Sequence, residues 1–432
     1  MTNRLQPKPP YQEPEYRVPR AQAPIDLRLD GNEGPPPREG LLAALRDIQP
    51  SAVQQYPSTL RLESIIAETN GLRRPQVLVT AGADDAIQRL CRAFLGPECR
   101  LIMPTPTFGM IERFATWEGA QIVRVPWNEA PYPLEDVISA AGNEPAVIAM
   151  VSPNNPTGGW ATPSDLIELS QRAPQALIMV DGAYAEFGTH DLTRTALGLP
   201  NAVILRTFSK AKGLAGLRVG YAMGDETWIK PMRSAGLPYP VGQPSLMMAE
   251  RAYRDISDNS EYLHQVANER IELRALLQEL GWNAYESQGN FVFAQGGDSV
   301  WLRDGMAAMG IGIRAWPDSP TLGDSIRITC PGNTRDFERL SRTLKQVGTP
   351  EAILFDMDGV LADVSQSYRQ AIIETASHFG IQVSLEEIET LKQAGNANND
   401  WVVTQRLLAA KDVSISLADI RRRFDSLYLG SE

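Results

Sequence analysis

Lys210 lies in the stretch Arg206-Thr-Phe-Ser-Lys-Ala-Lys-Gly-Leu-Ala-Gly-Leu-Arg218, an amine among small and hydroxyl residues with an arginine downstream. Such an amine can condense with an aldehyde to an imine, and the Ser209 hydroxyl with the Arg218 guanidinium suits a phosphate. A Ser-Lys pair alone is more often a solvated loop, and Lys212 is a rival amine in the same loop. Other stretches bear on the choice. Asp181 ends the apolar run Ala176-Leu-Ile-Met-Val180, so its carboxylate is expected to be buried and to need a cationic partner. Asn155, in Ser152-Pro-Asn-Asn-Pro-Thr-Gly-Gly159, is an amide held between prolines and glycines; it is either a ligand donor or an Asn-Pro turn. Gly82-Ala83-Asp84 opens a helical pattern, where free N–H groups suit a phosphate, although Asp84 and Asp85 equally favour the first turn of a surface helix. Phe108, in Pro104-Thr-Pro-Thr-Phe-Gly109, stacks on an aromatic ring or plugs the core.

The elements that must position these residues are short apolar runs, each ending in a polar or glycine-rich loop. They are Gln76–Thr80, Arg100–Met103, Gln121–Val125, Ala146–Val151, Ala176–Val180, Ala202–Thr207 and Leu217–Ala222. With helical patterns between them they predict an α/β fold, a doubly wound and mostly parallel sheet. The last run is expected to be antiparallel, because little but the Lys210 loop separates it from its predecessor. Ligands of such sheets bind beyond the carboxyl ends of the strands, where all these loops fall. Thr162 before Pro163 reads as a helix cap and needs no functional explanation. As a set the loops meet the needs of a pyridine cofactor, pyridoxal 5'-phosphate. Lys210 supplies the imine and Asp181 the partner for the ring nitrogen. Asn155 and Tyr184 donate to the phenolate oxygen, and Phe108 stacks. Gly82, Ala83, Asp84, Thr207, Ser209 and Arg218 form the phosphate cradle.

Residues 1–25, with six prolines among polar residues, read as an extended arm able to reach a neighbouring subunit, and Ile25–Asp30 as a short strand. After residue 229 the grammar changes. Glu261–Leu280 is helical, and Gly289–Phe293, Ile311–Arg314 and Ser325–Thr329 read as strands. The expected division is a large domain over about 50–229 and a small α+β domain from 26–49 plus 230–348. The chain has 432 residues, 43% hydrophobic and 22% charged, with no apolar run of about 18, as a soluble protein should. A net charge of −11 argues against nucleic acid and for a small-molecule partner. Cys91, Cys99 and Cys330, an odd number without metal-ligand spacing, read as reduced thiols of a cytoplasmic chain.

Val151-Ser-Pro-Asn-Asn-Pro-Thr-Gly158, Val180-Asp-Gly-Ala-Tyr184 and Thr207-Phe-Ser-Lys-Ala-Lys-Gly-Leu-Ala-Gly-Leu-Arg218 resemble the fold-type I pyridoxal-phosphate aminotransferases, most of all the histidinol-phosphate aminotransferases. The resemblance covers roughly residues 20–345. It implies Lys210, not Lys212, as the imine lysine, and Lys210, Asp181 and Tyr184 as catalytic residues. It implies that Tyr56 reaches the cofactor phosphate of the partner in a homodimer with shared sites, and that Arg327, Arg314 and Asn155 bind substrate. The implied reaction is a ping-pong transfer of an amino group from an amino acid, or an amine such as histidinol phosphate, to a 2-oxo acid, with decarboxylation of a phosphorylated amino acid as the alternative on this scaffold. Three positions depart from the family pattern: Gly182 where glutamate is usual, Phe108 where tyrosine is frequent, and Asn32-Glu-Gly-Pro35 in place of Asn-Glu-Asn-Pro.

Beyond residue 349, Ala352-Ile-Leu-Phe-Asp-Met-Asp-Gly-Val-Leu361 resembles the first motif of haloacid-dehalogenase-like phosphohydrolases. That resemblance implies Asp356 as nucleophile, Asp358 as general acid/base and Mg²⁺ between them, with residues 365–429 as a helical cap. The family's later motifs have no counterpart after it. The expectation is therefore a truncated unit, poorly folded and without phosphatase activity; a noncatalytic interaction module is the remaining possibility for this segment.

Overall fold

Each apolar run read from the sequence becomes a strand. The computed structural model describes residues 23–429 apart from 38, 44, 47, 129–130, 255–258, 351, 353–367, 394 and 396–398. Near residue 25 the chain contributes β1 (Leu27–Arg28). There follow β2 (Val77–Thr80), β3 (Arg100–Thr105), β4 (Gln121–Pro126), β5 (Ala146–Val151), β6 (Ala176–Asp181), β7 (Ala202–Thr207) and β8 (Gly220–Gly224), in the spatial order β2-β8-β7-β6-β5-β3-β4. The sheet is parallel except for β8, which runs antiparallel to both β2 and β7. That strand starts at Gly220 rather than Leu217, because Ala215–Leu217 form a tight helical turn and Arg218 has a left-handed φ of 53°. Every residue of β5, β6, β7 and β8 is buried, as in a sheet covered on both faces. Burying Ile178, Met179 and Val180 completely, at roughly 1.5–3 kcal/mol each, is strong enough to carry Asp181 down with them. The cap expected at Thr162 is present: its hydroxyl accepts the Asp165 N–H while the Asp165 carboxylate accepts the Thr162 N–H.

A second, smaller sheet is built from β9 (Asn283–Ala284), β10 (Phe291–Gln295), β12 (Arg314–Ala315) and β13 (Ser325–Thr329), all antiparallel in the order β12-β13-β10-β9, while β11 (Ile311–Gly312) pairs in parallel with β1. Helices Ser260–Glu279 and Thr334–Gly348 pack on it through Leu273, Leu277, Leu340 and Leu344.

The expected boundary between large and small domain is at about 229/230. It falls inside helix Glu226–Ser234, whose Ile229 and Met232 belong to the core of the large sheet. Leu41 and the helix Gln243–Arg254, through Leu246, Met248, Ala249 and Ala252, belong there too. Side chains join the other core from Val266 onward. The end of the strand pattern marks the last strand, not the last helix covering the sheet.

Met1–Thr349 and Pro350–Glu432 form separate compact units. In the second, helices Tyr368–His378, Leu385–Gln393, Asp400–Ala409 and Leu417–Leu429 share a core of Ile372, Ile388, Val403, Leu408, Ile420 and Phe424. Asp356 and Asp358 lie outside the described residues. Among the described residues no helix is long and apolar enough to cross a membrane, and no cluster of His, Cys, Asp and Glu suits a metal ion.

Candidate active site

A cavity of about 490 Å³ opens at the carboxyl ends of β5, β6 and β7. Ala83, Asp84, Phe108, Asn155, Asp181, Tyr184, Thr207, Ser209, Lys210 and Arg218 line it from the large sheet, and Arg314 and Arg327 from the small one. Two predicted residues are elsewhere. Gly82 sits behind Arg218, and Tyr56 is 81% exposed, its ring stacked on Tyr239 at 4.6 Å. Lys212 does not line the cavity, whereas Asp30, Gly31, Thr107, Trp316 and Leu322, which were not singled out in the sequence, do.

The Lys210 ammonium donates to the Gly31 carbonyl at 2.9 Å and lies 5.4 Å from the centre of the Tyr184 ring. The Tyr184 hydroxyl accepts from Asn32 Nδ2 at 3.1 Å. The departure at Gly34 has a steric cause: a Cβ there would lie 1.7 Å from the Lys210 carbonyl oxygen, so the loop could not close on the lysine with asparagine in that position.

Asp181 is buried, and its carboxylate accepts the Ala183 N–H at 3.0 Å. No lysine or arginine among the described residues forms a salt bridge with it. Burial pushes its pKa up to about 6; the Ala183 hydrogen bond works against this, the Asp84 carboxylate adds to it, and the Lys210 ammonium opposes it. A carboxylate in this position fits a cation placed in the cavity, and a protonated pyridine nitrogen is one.

The phosphate end is equally specific in type. Helix Gly82–Phe94 begins at the cavity rim, with its first N–H groups free of intrahelical partners. Arg218 donates to Ser209 Oγ at 3.4 Å and to Asp84 Oδ2 at 3.0 Å. A Cβ on Gly82 would lie 2.7 Å from Arg218 Nη2, filling the space that the guanidinium occupies. The residues present therefore fit pyridoxal phosphate at both its charged ends.

On the opposite wall Arg327 donates to Asn155 Oδ1 and, at 2.6 Å, to the Asp30 carbonyl. Asn155, which lines the cavity, thus has its side-chain oxygen engaged. Arg314 and Arg327 are directly opposite each other on β12 and β13, and each is 6% exposed. Like charges facing across a ladder repel. The Trp316 ring offsets part of this, with guanidinium carbons 5.2 Å and 5.9 Å from its centre. The pair makes one wall of the cavity an anion-attracting surface.

The family model for class I and II aminotransferases matches residues 26–344. The histidinol-phosphate aminotransferase of Leuconostoc citreum is 31% identical over 328 residues, 73% of this chain and 91% of that one. The enzyme of the same name from Haloferax volcanii is 32% identical over 340 residues, 76% of this chain and 92% of its own. The crystal structure of histidinol-phosphate aminotransferase from Sinorhizobium meliloti in complex with pyridoxal-5'-phosphate superposes with a TM-score of 0.70 at 21% identity, covering 80% of this chain and 98% of that one.

Proposed function

The chain belongs to the class I and II aminotransferases, pyridoxal-phosphate enzymes, and within that family we propose that it moves the amino group of a phosphorylated amine such as histidinol phosphate to 2-oxoglutarate. The observation that carries this choice is the meeting of Lys210 and Asp181 in one cavity with the opposed pair Arg314 and Arg327. Two adjacent guanidinium groups suit a phosphate monoester or a dicarboxylate better than a neutral side chain.

When bound, the cofactor supplies an electron-accepting ring that stabilises charge left on the substrate α-carbon. The chain's own residues do the rest. The Lys210 amine accepts and returns the α-carbon proton, and the Asp181 carboxylate holds a proton on the ring nitrogen. Asn155 and Tyr184 would donate toward the phenolate oxygen, Phe108 would bound the ring, and the helix end with Thr207, Ser209 and Arg218 would hold the phosphate. Arg327, oriented by Asn155 and the Asp30 carbonyl, grips the substrate anion, and Arg314 assists.

Purified protein reconstituted with pyridoxal phosphate should be yellow, and borohydride should fix the cofactor to Lys210. 2-Oxoglutarate-dependent turnover should then be fastest with histidinol phosphate among a panel of amino donors. A protein that stays colourless rules out the cofactor; carbon dioxide release from a phosphorylated amino acid in place of transamination would favour decarboxylation. Arg327→Met should raise KM for 2-oxoglutarate on the order of 10-fold to 100-fold with less change in kcat, the loss of a charged hydrogen-bond pair; an unchanged KM removes Arg327 from the site.

Three finer points are part of the proposal. An exposed Tyr56, absent from its own chain's cavity, fits a homodimer with shared sites. Free cysteines fit a cytoplasmic location. The sequence around Asp356 and Asp358 supports a Mg²⁺-dependent phosphohydrolase origin for the second unit; Mg²⁺-dependent phosphate release that is lost on Asp356→Asn is the result that would support it.

A further inference from the structure

Arg206 is a guanidinium buried to 7% exposure on β7, outside the cavity wall. It pairs with Glu186 at 2.8 Å, donates to both Asp191 oxygens at 3.0 Å and reaches the Thr193 hydroxyl at 2.6 Å. Its partners belong to the segment after β6, and its own strand leads within four residues to Lys210. The three groups therefore join the turn that carries Asp181 and Tyr184 to the strand that delivers the lysine. The crossing is made over Gly182, whose N–H donates to the Leu205 carbonyl at 3.0 Å. A Cβ there would lie 3.2 Å from Arg206 Cδ, 3.2 Å from Ile204 Cδ1 and 3.4 Å from the Leu205 oxygen. A side chain at 182 would have to share the space through which the arginine stem passes.

Resting on the function proposed above, we propose that Arg206 is a positioning residue: it clamps the Asp181–Tyr184 turn, through Glu186 and Asp191, onto the strand leading into Lys210, and the glycine at 182 makes room for it. A buried charge of this kind is costly unless paired; Nε has no partner among the described residues, so the contacts of the two terminal nitrogens carry the pairing and hold each other in one geometry. The consequence is a fixed separation between the carboxylate and the amine that must meet opposite sides of one cofactor ring.

The test uses the full chain and pyridoxal phosphate. Arg206→Met should weaken cofactor binding about 10-fold and raise the pH midpoint of the bound cofactor's visible absorbance by on the order of one unit, because a misaligned Asp181 no longer keeps the ring positively charged. Arg206→Lys restores the charge without the fork, and should recover only part of both effects. Unchanged binding and midpoint in a less heat-stable Arg206→Met protein would make the triad an ordinary stabilising network and overturn the inference. Full recovery by lysine would also overturn it, since charge alone would then suffice. If Arg206→Met does not fold, Glu186→Gln and Asp191→Asn each remove one arm and should each give a partial shift; no shift in either overturns the clamp. A wild-type chain that takes up no pyridoxal phosphate overturns the proposed function itself, and the clamp with it.

Discussion

Lys210→Ala is expected to lower transamination on the order of 10³-fold or more, because in the proposed function one amine serves both as the cofactor's covalent anchor and as the proton carrier at the α-carbon. The fold should survive. In the folded chain the ammonium makes a hydrogen bond to the Gly31 carbonyl, and losing such a bond costs about 1 kcal/mol. Lys212→Ala should keep turnover close to wild type, since that side chain does not line the cavity. Steady-state rates with thermal melts of both variants separate the two amines. If Lys212→Ala is the variant that loses its colour and activity, the assignment of this loop is wrong.

Asp181→Asn is expected to move activity and stability in opposite directions. Burial first, and the Asp84 carboxylate with it, raise the Asp181 carboxyl from 3.8 to about 6 in the cofactor-free chain. A raised carboxyl pKa destabilises the fold where the group is ionised. The penalty is absent below about pH 4, grows as pH rises through about 6, and reaches about 3 kcal/mol above that. Asparagine removes it and still accepts the Ala183 N–H. Cofactor-free Asp181→Asn should therefore melt higher than cofactor-free wild type at pH 7.5 and about equally at pH 4. Turnover should fall on the order of 10²-fold or more, because the amide cannot hold the ring nitrogen protonated. Equal melting temperatures at pH 7.5 would mean that the carboxylate carries no desolvation penalty.

The part of the site that sits at strand ends was legible because the signal there is strong. A run such as Ala176–Val180 announces a buried strand, and the polar residue after it can lie only at one edge of a parallel sheet. What was not legible depends on backbone atoms or on distant pairing. The Asp30 and Gly31 carbonyls, which hold Arg327 and Lys210, have no side-chain signature. Trp316 carries no signal of its own until β12 and β13 set Arg314 opposite Arg327 beside its ring. Arg206, Glu186 and Asp191 carry no motif signal, because their pairing exists only once β7 lies beside the segment after β6. Gly182 and Gly34 registered only as departures from a family pattern; the close backbone approaches that explain them exist only in three dimensions. The packing of residues 229–252 on the large sheet was not legible for a related reason, since helices covering a sheet continue after its last strand.

The wall of the cavity that receives the substrate is joined by contacts across an unusually long stretch of chain. Asn32 donates its N–H to Thr329 Oγ1, Thr329 donates back to Asn32 Oδ1, and Arg327 donates to the Asp30 carbonyl, each across a separation of 297 residues. Closing loops of that length is entropically slow and late. During synthesis, residues 30–32 emerge first and wait until residues 327–329 have followed, while every loop of the large sheet that faces the cofactor, the last of them ending at Arg218, is already outside the ribosome. The two walls of the cavity thus belong to segments synthesised at different times, and the wall with Arg314 and Arg327 is the later one to be completed.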